Sequence, residues 1–112
     1  MNYVPLDQLT FARFAQLLNS RFLVHISPAA SVELKLVETT SVHGGQKSSS
    51  TDQASENFSL IFNGPAERRL PQQIYLFEHG KLGAFELFIV PIGKEHGNFR
   101  YQAIFNRSAR PR

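Results

Sequence analysis

Between Glu56 and Asn106 the chain contains four segments in which apolar and polar residues largely alternate: FSLIF at 58–62, IYLFE at 74–78, AFELFIVPI at 84–92 and FRYQAIFN at 99–106. Successive side chains of a β-strand point to opposite faces, so this alternation indicates half-buried strands around one core. Short connections between successive segments predict antiparallel neighbours arranged as a meander. The chain is therefore predicted to form a compact antiparallel β domain.

Two further strands and one helix are predicted before this region. The segments RFLVHIS at 21–27 and SVELKLVETTSV at 31–42 flank a short turn and predict a hairpin. Adjacent apolar residues at Leu36 and Val37 indicate either a β-bulge or a strand buried on both faces. Thr10 is a suitable N-cap for a helix over about residues 10–19. Such a short helix must dock, so we expect it to cover an open end or an exposed face of the sheet.

The predicted fold class is mainly β, a small antiparallel barrel or sandwich of six or seven strands with one N-terminal α-helix packed on it. All 112 residues are expected to form a single domain, with a β core over about residues 21–106. The polar segment 43–55 is expected to be a flexible loop, and residues 107–112 a disordered tail.

Composition narrows the possible functions. Apolar residues make up 42% of the chain and include ten Phe, which is enough to build a core, and there is no Cys for disulfides or thiolate metal sites. The start of the chain does not resemble a secretory signal, and no apolar run approaches the ~20 residues of a membrane span, so a cytoplasmic protein is expected. The net charge is only +3, with three Arg in the tail, so weak nucleic-acid binding is a third hypothesis rather than the first.

No set of residues predicts catalysis. The four histidines, His25, His43, His79 and His96, fall in separate elements without the close spacing that places two metal ligands on one face. We therefore predict no catalytic residue, no metal site, no cofactor and no enzyme activity. The alternative is a small β-barrel ligand-binding protein or enzyme that uses His25, His79 or His96 together with a carboxylate.

The segment LFIV at 87–90 is apolar on both faces of its strand. One face must then be covered by the helix, the opposite sheet or a second subunit. Aromatic residues of the preceding strand add to the same region, which makes Tyr75, Phe77, Phe88 and Val90 the candidate protein-contact residues. The leading hypothesis is a non-catalytic protein-binding or assembly module, with a protein partner or self-association and without an evident small-molecule substrate.

Several segments also carry a family resemblance: LTFARF at 9–14, RF at 21–22, ENFSLIFNGP at 56–65, LPQQIYLFEH at 70–79, LGAFELFIVPIG at 82–93 and YQAIFN at 101–106. In these segments the chain resembles an uncharacterised family of small bacterial all-β domains, a domain of unknown function of the 6916-type. The resemblance implies an all-β fold and no established catalytic residues. It implies at most an assembly or accessory role, in a phage-tail-like system.

Overall fold

The computed structural model describes residues 3–5, 8–41 and 56–107. The loop predicted at 43–55 and residues 108–112 of the predicted tail lie outside the described residues. Arg107, predicted to begin that tail, is instead the last residue of a strand and is paired with Glu56. The elements are helix α1 (Phe11–Ala15) and strands β1 (Arg21–Ser27), β2 (Ala30–Ser41), β3 (Glu56–Gly64), β4 (Gln73–His79), β5 (Gly83–Glu95) and β6 (Asn98–Arg107). The mainly β fold class, with six strands in the described residues and one N-terminal helix, is confirmed.

Helix α1 begins as predicted but ends early. Thr10 is the N-cap, and its hydroxyl oxygen accepts a hydrogen bond from the Arg13 backbone N–H at 3.2 Å. After Ala15 the backbone tightens, because the Leu17 N–H donates to the Phe14 carbonyl only three residues back. Asn19 then adopts a positive φ of 72°, which turns the chain into β1. The predicted extension of the helix to residue 19 is therefore wrong.

The sheet closes on itself in a ring, in the order β1-β2-β3-β6-β5-β4 and back to β1. This closure is closer to the predicted barrel than to a two-sheet sandwich, although β1 and β4 pair only over Leu23–His25 of β1. The β1–β2 hairpin is confirmed. The predicted bulge is also confirmed, because the β2–β3 register shifts between Leu36 and Glu38.

The predicted meander holds for β4, β5 and β6 but is wrong for β3. Strand β3 pairs with β2 and β6, whereas β4 pairs with β1 and β5, so the connection 65–72 crosses one end of the ring. This connection contains Leu70, which is buried in the core. Because Leu70 is part of the core, the connection covers the end of the ring and is not a hairpin turn.

Aromatic rings fill the interior and both ends of the ring are covered. Phe14 of α1 lies at the end where β1 begins, with its ring 5.6–6.3 Å from four core rings, those of Phe22, Phe58, Phe85 and Phe105. The expectation that the helix docks on an open end is thus confirmed. At the opposite end the buried Tyr101 hydroxyl accepts a hydrogen bond from the Leu70 N–H at 2.8 Å. None of the helical segments in the described part of the chain is both long and apolar enough to cross a membrane.

Candidate protein-contact surface

Two of the four predicted contact residues lie inside the protein. Tyr75 and Phe77 are buried on the inner face of β4. The Phe77 ring packs against Phe22, Phe62 and Phe85, and the Tyr75 hydroxyl donates to the Pro71 carbonyl at 2.7 Å. Residues an even number apart on a strand share a face, so both side chains fill the core. Their prediction as contact residues is corrected, because they offer no surface to a partner.

The other two predicted residues point outward from β5. Phe88 is 46% exposed, and Val90 is half-buried. Directly opposite Phe88 on β4 lies Ile74, which is 60% exposed. We call the exposed group formed by Ile74, Phe88, Val90 and Ile104 the apolar strip.

Ile104 joins the strip from β6 through the register of the sheet. Val90 pairs with Gln102, and Ile104 lies two residues beyond Gln102 on the same outer face of β6, diagonal to Val90. Ile104 is 67% exposed. The strip therefore crosses three adjacent strands, although its members are up to 30 positions apart in the chain.

Sequence reasoning missed Ile74 and Ile104, but a signal was present. Each alternates with buried neighbours of its own strand, Ile74 with Tyr75 and Ile104 with Ala103 and Phe105. Once the aromatic side chains are assigned to the core, the two-residue period of a strand sends both isoleucines outward. Large apolar residues in the outward phase were thus the sign of a candidate contact surface.

Uncharged polar side chains surround most of the strip. They lie on neighbouring outward positions of β6 and β3 and just before β4: Gln102, Asn106, Ser59 and Gln72. Glu86 is an exposed carboxylate two residues from Phe88 on the same face. Interfaces commonly combine an apolar, charge-poor centre with a polar rim, and this face has that composition.

The His/carboxylate alternative corresponds to two separate His–Glu pairs on the ring. His25 Nε2 lies 3.2 Å from Glu78 Oε1, and both side chains are about one-third exposed. A cavity of about 530 Å³ lies beside them, lined among others by Arg21, Glu33, Glu78 and His79. His96 lies 3.9 Å from Glu95 at the exposed β5–β6 turn, while His43 is outside the described residues. Among the described residues, no group of three or more His, Asp or Glu side chains is arranged to hold a metal ion.

Ser20 and His79 look like part of a nucleophilic pair, with Ser20 Oγ 2.9 Å from His79 Nε2. The Lys81 backbone N–H donates to His79 Nδ1 at 3.0 Å, so the proton of the neutral ring is on Nε2 and is donated to Ser20. The Ser20 hydroxyl donates in turn to the Leu17 carbonyl. An activated serine needs the opposite arrangement, in which the imidazole accepts the hydroxyl proton.

The protonation state of His79 agrees with this arrangement. Partial burial, followed by the positive charge of Lys81, lowers the pKa of His79 below its usual value. The neutral ring packs on Phe22, with 4.5 Å between the ring centroids. The pair therefore fastens the turn after α1 to the end of β4, because Ser20 belongs to that turn.

Comparison with known proteins identifies a family without an assigned activity. The family model "Domain of unknown function (DUF6916)" matches residues 9–105 of the chain. No curated protein and no solved structure matches the chain.

Proposed function

The chain belongs to the DUF6916 family of domains of unknown function, and we propose that it is a non-catalytic protein-binding module. In this proposal the partner binds on the apolar strip. The observation that carries the proposal is the exposed row of Ile74, Phe88 and Ile104, which Val90 joins between β5 and β6. Isolated exposed apolar residues are normal on a protein surface, whereas a contiguous group with a polar rim is typical of interaction sites.

The exposed parts of these side chains represent a substantial binding energy. Fully burying one large apolar side chain contributes about 1.5–3 kcal/mol, and the three residues of the row retain roughly half of their surface. A partner that covers the row would therefore gain on the order of 3–5 kcal/mol from these contacts before the costs of association. Such a contribution fits a small hot spot within a larger interface.

The closed sheet favours binding through a face. Strand addition requires a free sheet edge, and in this ring every strand is paired on each side over at least part of its length. A partner would then recognise outward side chains instead of backbone groups. The arrangement at Ser20 and His79 supports the non-catalytic part of the proposal, because the serine hydroxyl proton is directed away from the imidazole.

The proposal extends to the biological setting that the sequence suggested. We propose that the module acts in the bacterial cytoplasm, as its sequence led us to expect, and that it has an assembly or accessory role in a phage-tail-like system, as the family resemblance implies. Either a second copy of the chain or another protein would cover the apolar strip, and one experiment distinguishes these two kinds of partner.

The test combines sedimentation velocity of the purified chain with affinity capture from the native lysate. Phe88→Asp places a charge at the centre of the strip and is expected to abolish association while leaving the fold intact. Leu18→Asp is the matched control, because Leu18 is also exposed but lies in the turn after α1. If the sedimenting mass of the unmodified chain increases with protein concentration, the partner is a second copy. If a protein captured by the unmodified chain is not retained by Phe88→Asp, that protein is the partner. Association unchanged in both Phe88→Asp and Ile104→Asp would overturn the proposal.

A further inference from the structure

A second surface, away from the apolar strip, carries a row of polar side chains on four adjacent strands. Arg21 of β1 pairs with Lys35 of β2, Lys35 with Asn63 of β3, and Asn63 with Arg100 of β6. The next residue along each strand is buried in the core, namely Phe22, Leu34, Phe62 and Tyr101. Arg21, Lys35, Asn63 and Arg100 therefore share the outer face, and we call them the cationic row.

Carboxylates pair with the cation at one end of the cationic row, whereas the cations at the other end lack such partners among the described residues. Arg100 pairs with Glu38 at 3.3 Å and with Glu95 at 3.1 Å. Arg21 and Lys35 face each other and form no ion pair with any described residue. Like charges directly opposite on neighbouring strands destabilise a sheet, so this pair costs free energy unless an anion lies between the two side chains.

A cavity adjoins these two cations. It has a volume of about 560 Å³ and is lined among others by Arg21, Lys35, Glu33, Asn63 and Asn98. This volume lies within the range of small-molecule sites. The two basic side chains and the single carboxylate of Glu33 leave an excess of one positive charge on the wall.

Asn63, which lines the cavity, carries an unsatisfied acceptor. Asn63 Oδ1 is buried and has no hydrogen-bond partner among the described residues, and the same is true of the neighbouring Arg100 Nε. A buried polar atom without a partner is costly, so a ligand group that donates a hydrogen bond to Asn63 would be favoured.

We propose that this cavity binds the phosphate group of a small phosphomonoester. Arginine and lysine are the usual partners of phosphate oxygens, Arg through its planar fork of donors and Lys as a compact charge. Below its second pKa of about 6 a phosphomonoester is a monoanion that retains a P–OH group, which supplies the donor that Asn63 Oδ1 lacks. Carboxylate and sulfate have no such donor, and neither do the internal phosphodiesters of nucleic acids.

The test is a titration of the ¹⁵N-labelled chain with inorganic phosphate, followed by NMR at pH 6.5 and constant ionic strength. We expect saturable shifts at Arg21, Lys35 and Asn63, with weaker binding of sulfate. Lys35→Gln is expected to weaken phosphate binding about tenfold, which is the loss of one charge-assisted hydrogen bond. Lys81→Gln, which removes the same charge away from this cavity, should leave the affinity unchanged. Glu33→Gln should tighten binding, because it removes the carboxylate from the wall.

The same variants distinguish a lost site from a lost fold. In phosphate-free buffer Lys35→Gln should raise the melting temperature, because it removes the repulsion with Arg21. Shifts that grow linearly without saturation, or equal affinities for Lys35→Gln and the unmodified chain, would overturn the proposal. Sulfate binding as tightly as phosphate would overturn the assignment to phosphate. Tighter binding of a short single-stranded oligonucleotide than of phosphoserine, compared per phosphate, would overturn the assignment to a small phosphomonoester.

Discussion

The Tyr101 hydroxyl oxygen accepts a hydrogen bond from the Leu70 backbone N–H at 2.8 Å, which fastens the connection between β3 and β4 to the core. Removing the hydroxyl with Tyr101→Phe leaves the Leu70 N–H buried without an acceptor. We expect the free energy of unfolding to fall by about 1–3 kcal/mol, as measured by urea denaturation. Burial also raises the pKa of Tyr101 above its usual value, so the hydroxyl stays protonated at neutral pH.

Tyr75→Phe is the matched control for this bond. The Tyr75 hydroxyl donates to the Pro71 carbonyl in a partly buried position where water can replace it. We expect a smaller loss of about 0.5–1.5 kcal/mol. Equal losses for the two variants would show that the Leu70 bond has no special part in holding the connection.

Phe14 closes the end of the ring where β1 begins, so its loss should affect the whole domain. Phe14→Ala would open a cavity among four aromatic rings, and we expect a loss of about 3–5 kcal/mol in the free energy of unfolding. Leu18→Ala, at an exposed site a few residues later, should change it by less than about 0.5 kcal/mol. Thermal melts of both variants test this, and a small effect of Phe14→Ala would mean that the helix is not part of the cooperative core.

Phe77 and Phe88 allow the core and the proposed contact surface to be tested separately. Phe77→Ala should cost about 3–5 kcal/mol of stability, because the Phe77 side chain is fully buried. Phe88→Ala should cost much less, on the order of 0.5 kcal/mol, and should act on association instead. Chemical denaturation together with sedimentation of both variants separates the two effects. Similar losses of stability would contradict the assignment of Phe88 to the surface.

His79 should make the domain less stable in mild acid. Its pKa is lowered in the folded protein, by burial first and then by Lys81, so the unfolded chain binds the proton more readily. The contribution of His79 to stability is therefore fully present above the ordinary histidine value of about 6.5 and declines as the pH falls below it. Arg21, Glu33 and Glu78 line the cavity beside His79.

The measurement for His79 is the free energy of unfolding at pH 8 and pH 5.5. The unmodified chain should lose stability between these values, and His79→Gln should lose less. His96→Gln is the control, because His96 is exposed at the β5–β6 turn. The interpretation fails if His79→Gln keeps the full pH dependence.

Much of the fold could be predicted because strand patterns are local. The alternation in segments such as 99–106 indicates a strand whatever that strand packs against. The Thr10 cap and the Leu36–Val37 bulge likewise depend on residues close in sequence. The helix prediction failed after Ala15 because the helical spacing of apolar residues continues beyond the real end of the helix. The backbone instead turns at Asn19 to reach β1. The contact prediction failed at Tyr75 and Phe77 because the presence of aromatic residues in a strand does not indicate which face of that strand is buried.

The sequence by itself determined that this chain is a β domain with one short leading helix, because side-chain period and capping act over a few neighbouring residues. Only the tertiary structure decided that β3 lies beside β6, since the buried Leu70 carries the intervening connection across the end of the ring. That same arrangement brings Ile74, Phe88 and Ile104 into one strip, and Arg21, Lys35 and Asn63 beside one cavity. Such groups depend on the pairing register of strands distant in the chain, which is set by packing of the whole core.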